Sequence, residues 1–595
     1  MPGIGRSFYD FTRLLTLCVR GLYFLSIILL KGIAMKKPTI NFRDVNWKKL
    51  LITAPISAVI SFIIYFIFLP PINPHAPEFW IFLSVTALIY LLPYLGFKLN
   101  DGVFVFVSNE KGGYDKKSIG NIKIKNLKLN KIALIVIAAP IAVAILGGIF
   151  SSTVLFAKSY ADVIDIDDTV VFEDDMPETT DDFTYIALMD TESAIMLGNR
   201  ELGVLSSNVS QYTLSSYYTQ INYKGLPKKV ANLEYDGFFK WAINNKTGIP
   251  GAVIVDPVNP DADYLEFNKP MIYAESAYLF QDLERKLRFD YPTKIFNSIS
   301  FEIDESGNPF YIVSCATARV SLFGAMDISE VIVFDPTDGS SKLYGIDAVP
   351  SWIDIVYTGE LACQKYDWYG TLSGGFINSV IGNKGCKQTT DDFGYIALDD
   401  DVWYFTGVTS VTGDDMSNIG FILSNARTGE YKFYSVIGAE EHSAMNAAEG
   451  EVQEKGYVAS FPSLVNVSGE ATYIMVLKDA TGIVKLYALV NVENYRIVAT
   501  GTSQAVAMSE YKKLLSQNGV TEGGDDSADI TVSEIVYSEG TVYLKTASGE
   551  VYRGYLSTDE SLILINEGDA ITVEYTATAN EKIFSISAWK YTTTQ

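Results

Sequence analysis

Three uncharged apolar runs near the N-terminus constrain the fold of this chain more than any other feature. Each is close to the ~20 residues that an α-helix needs to cross the hydrocarbon of a bilayer. The prolines inside them are tolerated in membrane helices. We therefore predict three membrane spans rather than buried core helices, over residues 50–69, 79–97 and 132–156.

The basic loops orient these spans. Residues 36–49 and 98–131 are rich in lysine and arginine, whereas the link 70–78 has neither. Because basic loops stay in the cytoplasm, we predict a cytoplasmic N-terminus and an extracytoplasmic body over residues 157–595, with the protein in the cell membrane. The shorter apolar stretch within residues 8–34 is predicted to be an interfacial helix, with a fourth span as the alternative.

Charge is divided between the two parts of the chain. Residues 1–131 carry 17 basic and 6 acidic residues, a net of +11, which leaves −35 for the remainder of a chain whose total is −24. An acidic body argues against a nucleic-acid partner, because phosphate binding needs clustered lysine and arginine. Residues 157–178 are dense in carboxylates and are predicted to form a solvated acidic stalk, with a cation site as the alternative.

One phrase occurs twice in the acidic body. Residues 179–188 read TTDDFTYIAL and residues 389–398 read TTDDFGYIAL. Four later segments each read as a strand, a polar turn and a second strand, which is typical of β-hairpins; they are 253–267, 331–346, 421–435 and 486–499. We therefore predict a duplicated module of helix and antiparallel sheet, over residues 179–388 and 389–510.

The C-terminal region differs from both modules. Residues 528–595 contain five or six alternating strand patterns and almost no helix signal. A small β-barrel of OB or SH3 type is predicted, with a β-sandwich cap as the alternative. The fold class expected for the whole chain is a membrane-anchored α+β protein with a helical transmembrane head.

The first module resembles PepSY-type domains. The resemblance is carried by Gly307-Asn308-Pro309-Phe310-Tyr311 and by the segment Val331 to Gly339 with Tyr344. The second module departs from it, since Asn491 to Tyr495 lacks the Thr-x-Gly turn. The whole layout is similar to uncharacterised Gram-positive bacterial membrane proteins. This resemblance implies binding, inhibition or regulation at the cell surface, and it supplies no catalytic motif.

Catalytic signals are sparse. The chain has two histidines, His75 and His442, and no GxSxG, HExxH, CxxC or P-loop spacing. Glu440 and Glu441 beside His442 are explained by a helix N-terminus, where acidic side chains favour the helix dipole. We therefore predict no catalytic residue, no metal site and no cofactor, and we lean toward a protein that is not an enzyme.

Residues 349–386 have no counterpart after the second module. They contain a group of aromatic residues of the type that anchors partners, and we predict either a recognition loop or a connector whose aromatics fill the interface between modules. The aromatic residues are Trp352, Tyr357, Tyr366, Trp368 and Tyr369. Cys363 and Cys386 are a candidate disulfide in an oxidising compartment, whereas Cys315 lies in a strand pattern and is expected to be a buried thiol.

These features together predict a non-enzymatic cell-envelope membrane protein whose extracytoplasmic modules bind or regulate a protein or peptide partner. Two alternatives stay open. The chain is a structural or assembly subunit of a larger membrane complex, or it is a cell-wall hydrolase that uses acidic residues.

Overall fold

The computed structural model falls into two compact units. The first comprises Met1–Ser152, Leu279–Ile295 and Thr317–Met326, and the second comprises the rest of the chain. The predicted interfacial helix over 8–34 lies outside the described residues. The structure describes residues 47–91, 104–108, 114–118, 131–179, 186–204, 210–259, 261–390, 392–398, 400–411, 417–518, 526–538, 540–556, 559–577 and 582–592.

The first unit contains three apolar helices. They are α1 (Trp47–Phe68), α2 (Pro77–Leu91) and α3 (Lys131–Phe150). Within the described part of the chain, α3 is the one helix whose length and composition suffice to cross a membrane, while α1 and α2 carry shorter apolar stretches. The predicted span 132–156 is not one continuous helix, because a turn at Ser151 and Ser152 ends α3 at Phe150. The hairpin β1 (Phe104–Ser108) and β2 (Tyr114–Ser118) is also in this unit.

A turn from the acidic body belongs to the first unit and is fixed at Leu322 and Phe323. The Oγ of Ser151 accepts hydrogen bonds from the backbone N–H of Leu322 (3.1 Å) and Phe323 (2.9 Å). The ring of Phe323 packs against α3 at Gly147, where a Cβ atom would clash with a ring carbon. Glycine at position 147 therefore allows the ring to lie directly against the helix.

The remaining helices are short. Four of them follow a residue whose side chain accepts a hydrogen bond from the N–H three residues later, which satisfies a donor that the helix leaves free; these residues are Asp190, Asp282, Thr358 and Ser503. The helices are α4 (Thr153–Ala161), α5 (Phe172–Asp175), α6 (Thr191–Val204), α7 (Phe238–Asn244), α8 (Leu283–Asp290), α9 (Gly359–Leu372), α10 (Glu441–Glu451) and α11 (Gln504–Gln517).

Two antiparallel sheets come from the first predicted module. In the first sheet the strand order is β3-β5-β6-β7, and β4 also pairs with β5. These strands are β3 (Tyr212–Leu214), β4 (Thr219–Tyr223), β5 (Leu226–Tyr235), β6 (Ile249–Asp256) and β7 (Asp261–Met271). In the second sheet the order is β11-β10-β9-β8. Its strands are β8 (Ile295–Ile303), β9 (Pro309–Val320), β10 (Gly324–Phe334) and β11 (Ser341–Gly345).

Two further sheets and a small ribbon come from the second predicted module. The third sheet consists of β12 (Lys387–Thr389), β13 (Gly394–Leu398), β14 (Asp401–Ser410), β16 (Gly420–Asn425) and β17 (Tyr431–Tyr434). The ribbon pairs β15 (Ser417–Asn418) with β18 (Gly438–Ala439). The fourth sheet consists of β19 (Val458–Ala459), β20 (Ser463–Val467), β21 (Glu470–Lys478), β22 (Val484–Asn491) and β23 (Val498–Gly501).

One hydrophobic core joins the third and fourth sheets. Phe405 and Phe421 of the third sheet are fully buried together with Tyr473 and Met475 of the fourth. The rings of Phe421 and Tyr473 meet edge to face, with their centroids 5.8 Å apart. The two sheets therefore form one body.

The C-terminal strands close into a ring. The order is β24-β25-β26-β28-β27, and β24 pairs with both β25 and β27. A single parallel pair, β26 with β28, lies in this ring, which confirms the predicted barrel-like region in outline. The strands are β24 (Asp526–Ser538), β25 (Thr541–Thr546), β26 (Val551–Tyr555), β27 (Ala570–Ala577) and β28 (Ile583–Tyr591).

Candidate binding cleft between the repeated phrases

Both copies of the repeated phrase line one cavity of about 390 Å³ in the second unit. Residues 180–185 of the first copy and 391 of the second lie outside the described residues. The first copy contributes Thr179, Ile186 and Ala187, and the second contributes Tyr395, Ile396, Ala397 and Leu398. The remaining wall consists of Met176, Pro177, Glu178, Asn222, Gly225, Asp400, Ser463, Leu464 and Val465. We call this cavity the cleft.

The cleft runs along the edges of two strands. Four consecutive residues of β13 and three of β20 line it. Alternate side chains of a strand point to opposite faces, so a cavity that touches consecutive residues must follow the strand edge. In the part of the chain that the structure describes, β13 pairs with β14 alone, whereas β20 pairs with β21 and its Asn466 also forms a parallel bridge with Glu178. An unpaired strand edge offers backbone donors and acceptors to another chain.

Long-range hydrogen bonds hold the first copy of the phrase at the cleft. The backbone N–H of Thr179 donates to the carbonyl oxygen of Asn466 (2.7 Å), and the Oγ of Ser463 donates to the carbonyl oxygen of Ala187 (3.1 Å). The N–H groups of Leu188 and Met189 both donate to the carbonyl oxygen of Pro257. The segment is thereby fixed between the first and fourth sheets.

Asn222 is the polar residue of the wall with an unused hydrogen-bonding group. Its Nδ2 donates to Oδ1 of Asp400 (2.8 Å), and its backbone N–H donates to Oδ2 of Asp354 (2.9 Å). Its Oδ1 is buried and has no hydrogen-bond partner among the described residues. Because buried polar atoms are normally hydrogen-bonded, this oxygen marks a place where a ligand donor or a water would be stabilised.

Two buried carboxyl groups lie behind Asn222. The N–H of Asp354 donates to Oε2 of Glu302 (2.9 Å), and the N–H of Ile355 donates to Oε1 of Glu302 (3.0 Å). Burial raises the pKa of Glu302 to about 7, and burial together with the nearby charge of Glu302 holds the pKa of Asp354 well above its ordinary value. Two backbone donors favour the ionised form of Glu302, so we assign the shared proton to Asp354.

A third acidic side chain near the cleft forms an ion pair. Arg427 donates from Nε and Nη2 to the two oxygens of Asp401, each at 2.7 Å, and Nδ2 of Asn425 donates to Oδ2 of Asp401 (2.9 Å). A bidentate pair of this kind has a fixed geometry. It ties the start of β14 to the turn after β16.

The five predicted aromatic residues are distributed over separate packing contacts. Tyr357 and Tyr366 are buried. Trp352 packs on Phe310 and Trp368 on Tyr160, each pair with its centroids 5.0 Å apart. Tyr369 is more than a third exposed, and its ring lies 6.0 Å from that of Tyr366. Residues 359–372 form α9 rather than a loop, and this helix turns Tyr366 toward the core.

Cys363 and Cys386 are free thiols in this structure. Cys363 and Cys386 do not form the predicted disulfide. The Sγ of Cys386 lies 3.4 Å from Nδ2 of Asn378 and 3.5 Å from the carbonyl oxygen of Thr371. Burial raises the pKa of Cys363 to about 12, so this thiol is a poor nucleophile. Cys315 is buried, as predicted.

The region of His442 contains no compact catalytic group. His442 is exposed, as expected for a surface histidine, whereas the neighbouring Glu441 is buried and its Oε1 accepts a hydrogen bond from the N–H of Gly407 (2.6 Å). Across the described residues, no group of three or more histidine, cysteine or acidic side chains is arranged to hold a metal ion.

Sequence reasoning missed the cleft, although a signal for it was present. The duplicated phrase identified both segments that line the cavity, but it was interpreted only as evidence of duplication. Asn222 and Asp400 had no signal of their own, because a lone amide and a turn aspartate are ordinary features of loops. Their significance depends on the fold.

Comparisons with known proteins add no family. No protein-family model matches the chain, and no curated protein matches it. Among solved structures, one similar chain is assigned as an exo-β-1,3-galactanase from Bifidobacterium bifidum s17, with 9% identity over 49% of this chain and 72% of the other, at a TM-score of 0.17. Another is an ancestral GH74 enzyme, with 10% identity over 57% and 42% and a TM-score of 0.14. Similarity this weak carries no argument, and the PepSY resemblance stays a prediction.

Proposed function

We propose that this chain is a non-enzymatic membrane protein of the cell envelope whose extracytoplasmic modules bind an extended segment of a protein or peptide partner in the cleft. The observation that carries the proposal is the cavity along the edge of β13, a strand that pairs with β14 alone among the described residues, with β20 on the same wall. An extended peptide that pairs with such an edge gains backbone hydrogen bonds, and pockets beside the edge then select its side chains.

The composition of the wall fits such a ligand. Ile396, Leu464 and Val465 offer apolar surface, while Thr179, Ser463 and the free Oδ1 of Asn222 offer hydrogen bonds. A cavity of about 390 Å³ is within the ~300–1,000 Å³ typical of ligand sites. Five residues of β13 extend over roughly 17 Å, at ~3.4 Å per residue, so a short peptide strand suffices to cover the edge.

The acidic side chains behind the cleft are not arranged for hydrolysis. Asp401 is paired with Arg427, Glu302 accepts two backbone N–H groups, and Asp354 accepts one. Paired carboxylates in a glycosidase must reach the substrate, whereas Glu302 and Asp354 are buried.

We further assign the C-terminal ring to the OB type, because its five strands close through one parallel pair.

The first test is a binding selection with the full chain in lipid nanodiscs. A displayed library of random linear peptides is panned against the protein, and enriched peptides are synthesised and titrated. Ala397→Trp places an indole at the β13 edge, so we expect at least a tenfold weaker affinity. Ala588→Trp is the matched control, because Ala588 is an exposed strand residue of the C-terminal ring, and its affinity should match the wild type.

Two outcomes contradict the proposal. One is a selection that enriches no peptide above the background of empty nanodiscs. The other is a set of enriched peptides that bind Ala397→Trp as tightly as the wild type, which would place their site outside the cleft.

A further inference from the structure

Part of the acidic body carries an apolar surface of its own within the first unit. Residues Leu279 to Phe289 include a short 3₁₀ turn and most of α8. Leu279 is 53%, Phe280 73% and Phe289 40% exposed. Single exposed apolar residues are common, but three on one short segment indicate an interaction surface.

This segment packs against the C-terminal half of α1. The ring of Phe280 lies 5.6 Å from that of Phe66, and the ring of Phe289 lies 6.2 Å from Phe66 and 6.4 Å from Phe62. Phe62 precedes the end of α1 at Phe68 by six residues. At a rise of ~1.5 Å per residue, Phe289 therefore lies beside α1 at a point roughly 9 Å back from its end.

Arg285 fixes the segment in this position. Its Nε donates to the carbonyl oxygen of Phe66 (3.2 Å), and its guanidinium lies 4.3 Å from the centre of the Phe66 ring. The last carbonyls of a helix have no partner within the helix, and a cation there is favoured by the helix dipole. At the other end of the segment, the N–H of Ile72 donates to the carbonyl oxygen of Pro292 (2.7 Å). The segment is thus held to α1 through Arg285, and the residues just after it are held to the chain that follows α1.

The exposed face of the segment continues the exposed face of α1. Phe62, Ile63 and Ile67 of α1 are each half exposed or more, and Phe62 touches Phe289. Whatever medium covers α1 on this side also covers the segment. If α1 crosses the bilayer as its sequence predicts, that medium is lipid. The aromatic rings of the segment are then covered by lipid and not exposed to water.

We propose that residues 279–289 form an interfacial element that rests in the outer leaflet of the membrane. Leu279, Phe280 and Phe289 lie among the upper acyl chains, and Arg285 and Lys286 lie at the level of the headgroups. Aromatic residues with neighbouring cations are typical of this zone. The inference rests on the membrane insertion contained in the proposed function, and it is independent of the cleft.

The test uses the unaltered full chain in phosphatidylcholine nanodiscs. A fraction of the lipid carries a photoactivatable diazirine on its acyl chain, and adducts are mapped by mass spectrometry after irradiation. We expect adducts in residues 279–289 as well as in α1 and α3. Ile483 and Tyr495 are the controls, because they are comparably exposed residues of the second unit, and they should remain unlabelled. In a Phe280→Ser variant, labelling of residues 279–289 should fall at least threefold while that of α3 is unchanged.

Each other outcome overturns the inference. Adducts in α1 and α3 without adducts in 279–289 would leave the membrane helices in place and remove the interfacial element. Labelling of Ile483 equal to that of residues 279–289 would also overturn it, because the segment would then meet lipid no more than an exposed residue of the second unit does. An absence of adducts from α1, from α3 and from residues 279–289 would refute membrane insertion itself. The peptide selection would still decide separately whether the cleft binds a partner.

Discussion

The carboxyl groups of Glu302 and Asp354 control how the protein responds to pH. Both are buried, and burial raises the pKa of each, that of Glu302 to about 7. Asp400 and Asp401 add negative charge nearby, and Arg427 adds positive charge. Between the ordinary carboxyl pKa and about 7, the folded protein holds a proton that the unfolded chain has released. Stability therefore falls as the pH rises through this window.

Asp354→Asn should remove the part of this pH dependence that Asp354 contributes, because the pKa of Glu302 is raised by its own burial. An amide imitates the protonated acid, and its oxygen can still accept the hydrogen bond from Asn222. We expect the wild-type melting temperature to fall between pH 5 and pH 8, and the variant to be more stable at pH 8 with a flatter profile. Thermal melts over this pH range test it, with the exposed Asp347→Asn as the control.

A variant profile as steep as that of the wild type would show that the proton resides elsewhere. The control Asp347→Asn should have a profile as steep as that of the wild type, because this substitution does not alter the buried pair.

At the scale of elements, a buried ion pair joins α9 to β10. Nζ of Lys365 lies 2.7 Å from Oδ1 of Asp327, and both side chains are less than a tenth exposed. The ammonium also lies 4.9 Å from the centre of the Tyr357 ring. Desolvation makes such a pair a modest source of net stability, but the loss of one partner is costly.

Lys365→Met keeps the length of the side chain and removes its charge. We expect a loss of about 3–5 kcal/mol, because the carboxylate of Asp327 would stay buried without this cation. Lys545→Met is the control, since its pair with Glu534 is exposed and should contribute less than about 1 kcal/mol. Denaturant unfolding followed by circular dichroism measures both. The double variant Lys365→Met/Asp327→Leu should recover most of the loss.

A single variant within 1 kcal/mol of the wild type would contradict this account. It would mean that water reaches Asp327 and solvates the carboxylate once the lysine is gone.

The elements that sequence reasoning found are those with local causes. The turn between β10 and β11 was predictable because Asp335 accepts a hydrogen bond from the N–H of Thr337 (2.8 Å) and Gly339 has a φ of +78°. The α9 region was not, although Thr358 caps its helix. The burial of Tyr366 and the contact of Trp368 with Tyr160, some 200 residues earlier, depend on tertiary packing.

The cleft was out of reach for the same reason. The repeated phrase could be read from the sequence, and it indicated a duplication. The convergence of its two copies depends on the hydrogen bond from Thr179 to Asn466 and that from Ser463 to Ala187, which each join segments more than 270 residues apart. No local pattern encodes such a pairing.

At the scale of the molecule, the units do not follow the order of the chain. The first unit takes Leu279–Ile295 and Thr317–Met326 from the acidic body, so its packing depends on segments that are distant in sequence. The C-terminal ring is the opposite case. Its core is formed by its own residues, among them Val532, Leu544, Tyr552 and Ile571. A part with an internal core can be removed with the least effect on the rest.

A chain shortened to residues 1–518 should therefore keep the cleft. No residue of the cleft wall lies beyond Val465, and the fourth sheet is complete at Gly501. We expect peptides selected on the full chain to bind the shortened chain in nanodiscs within about threefold of their original affinity. Ala397→Trp should weaken binding equally in both backgrounds, because the cleft acts alone. If the shortened chain keeps the β-sheet signal of its circular dichroism spectrum but binds no peptide, the ring is part of the recognition surface.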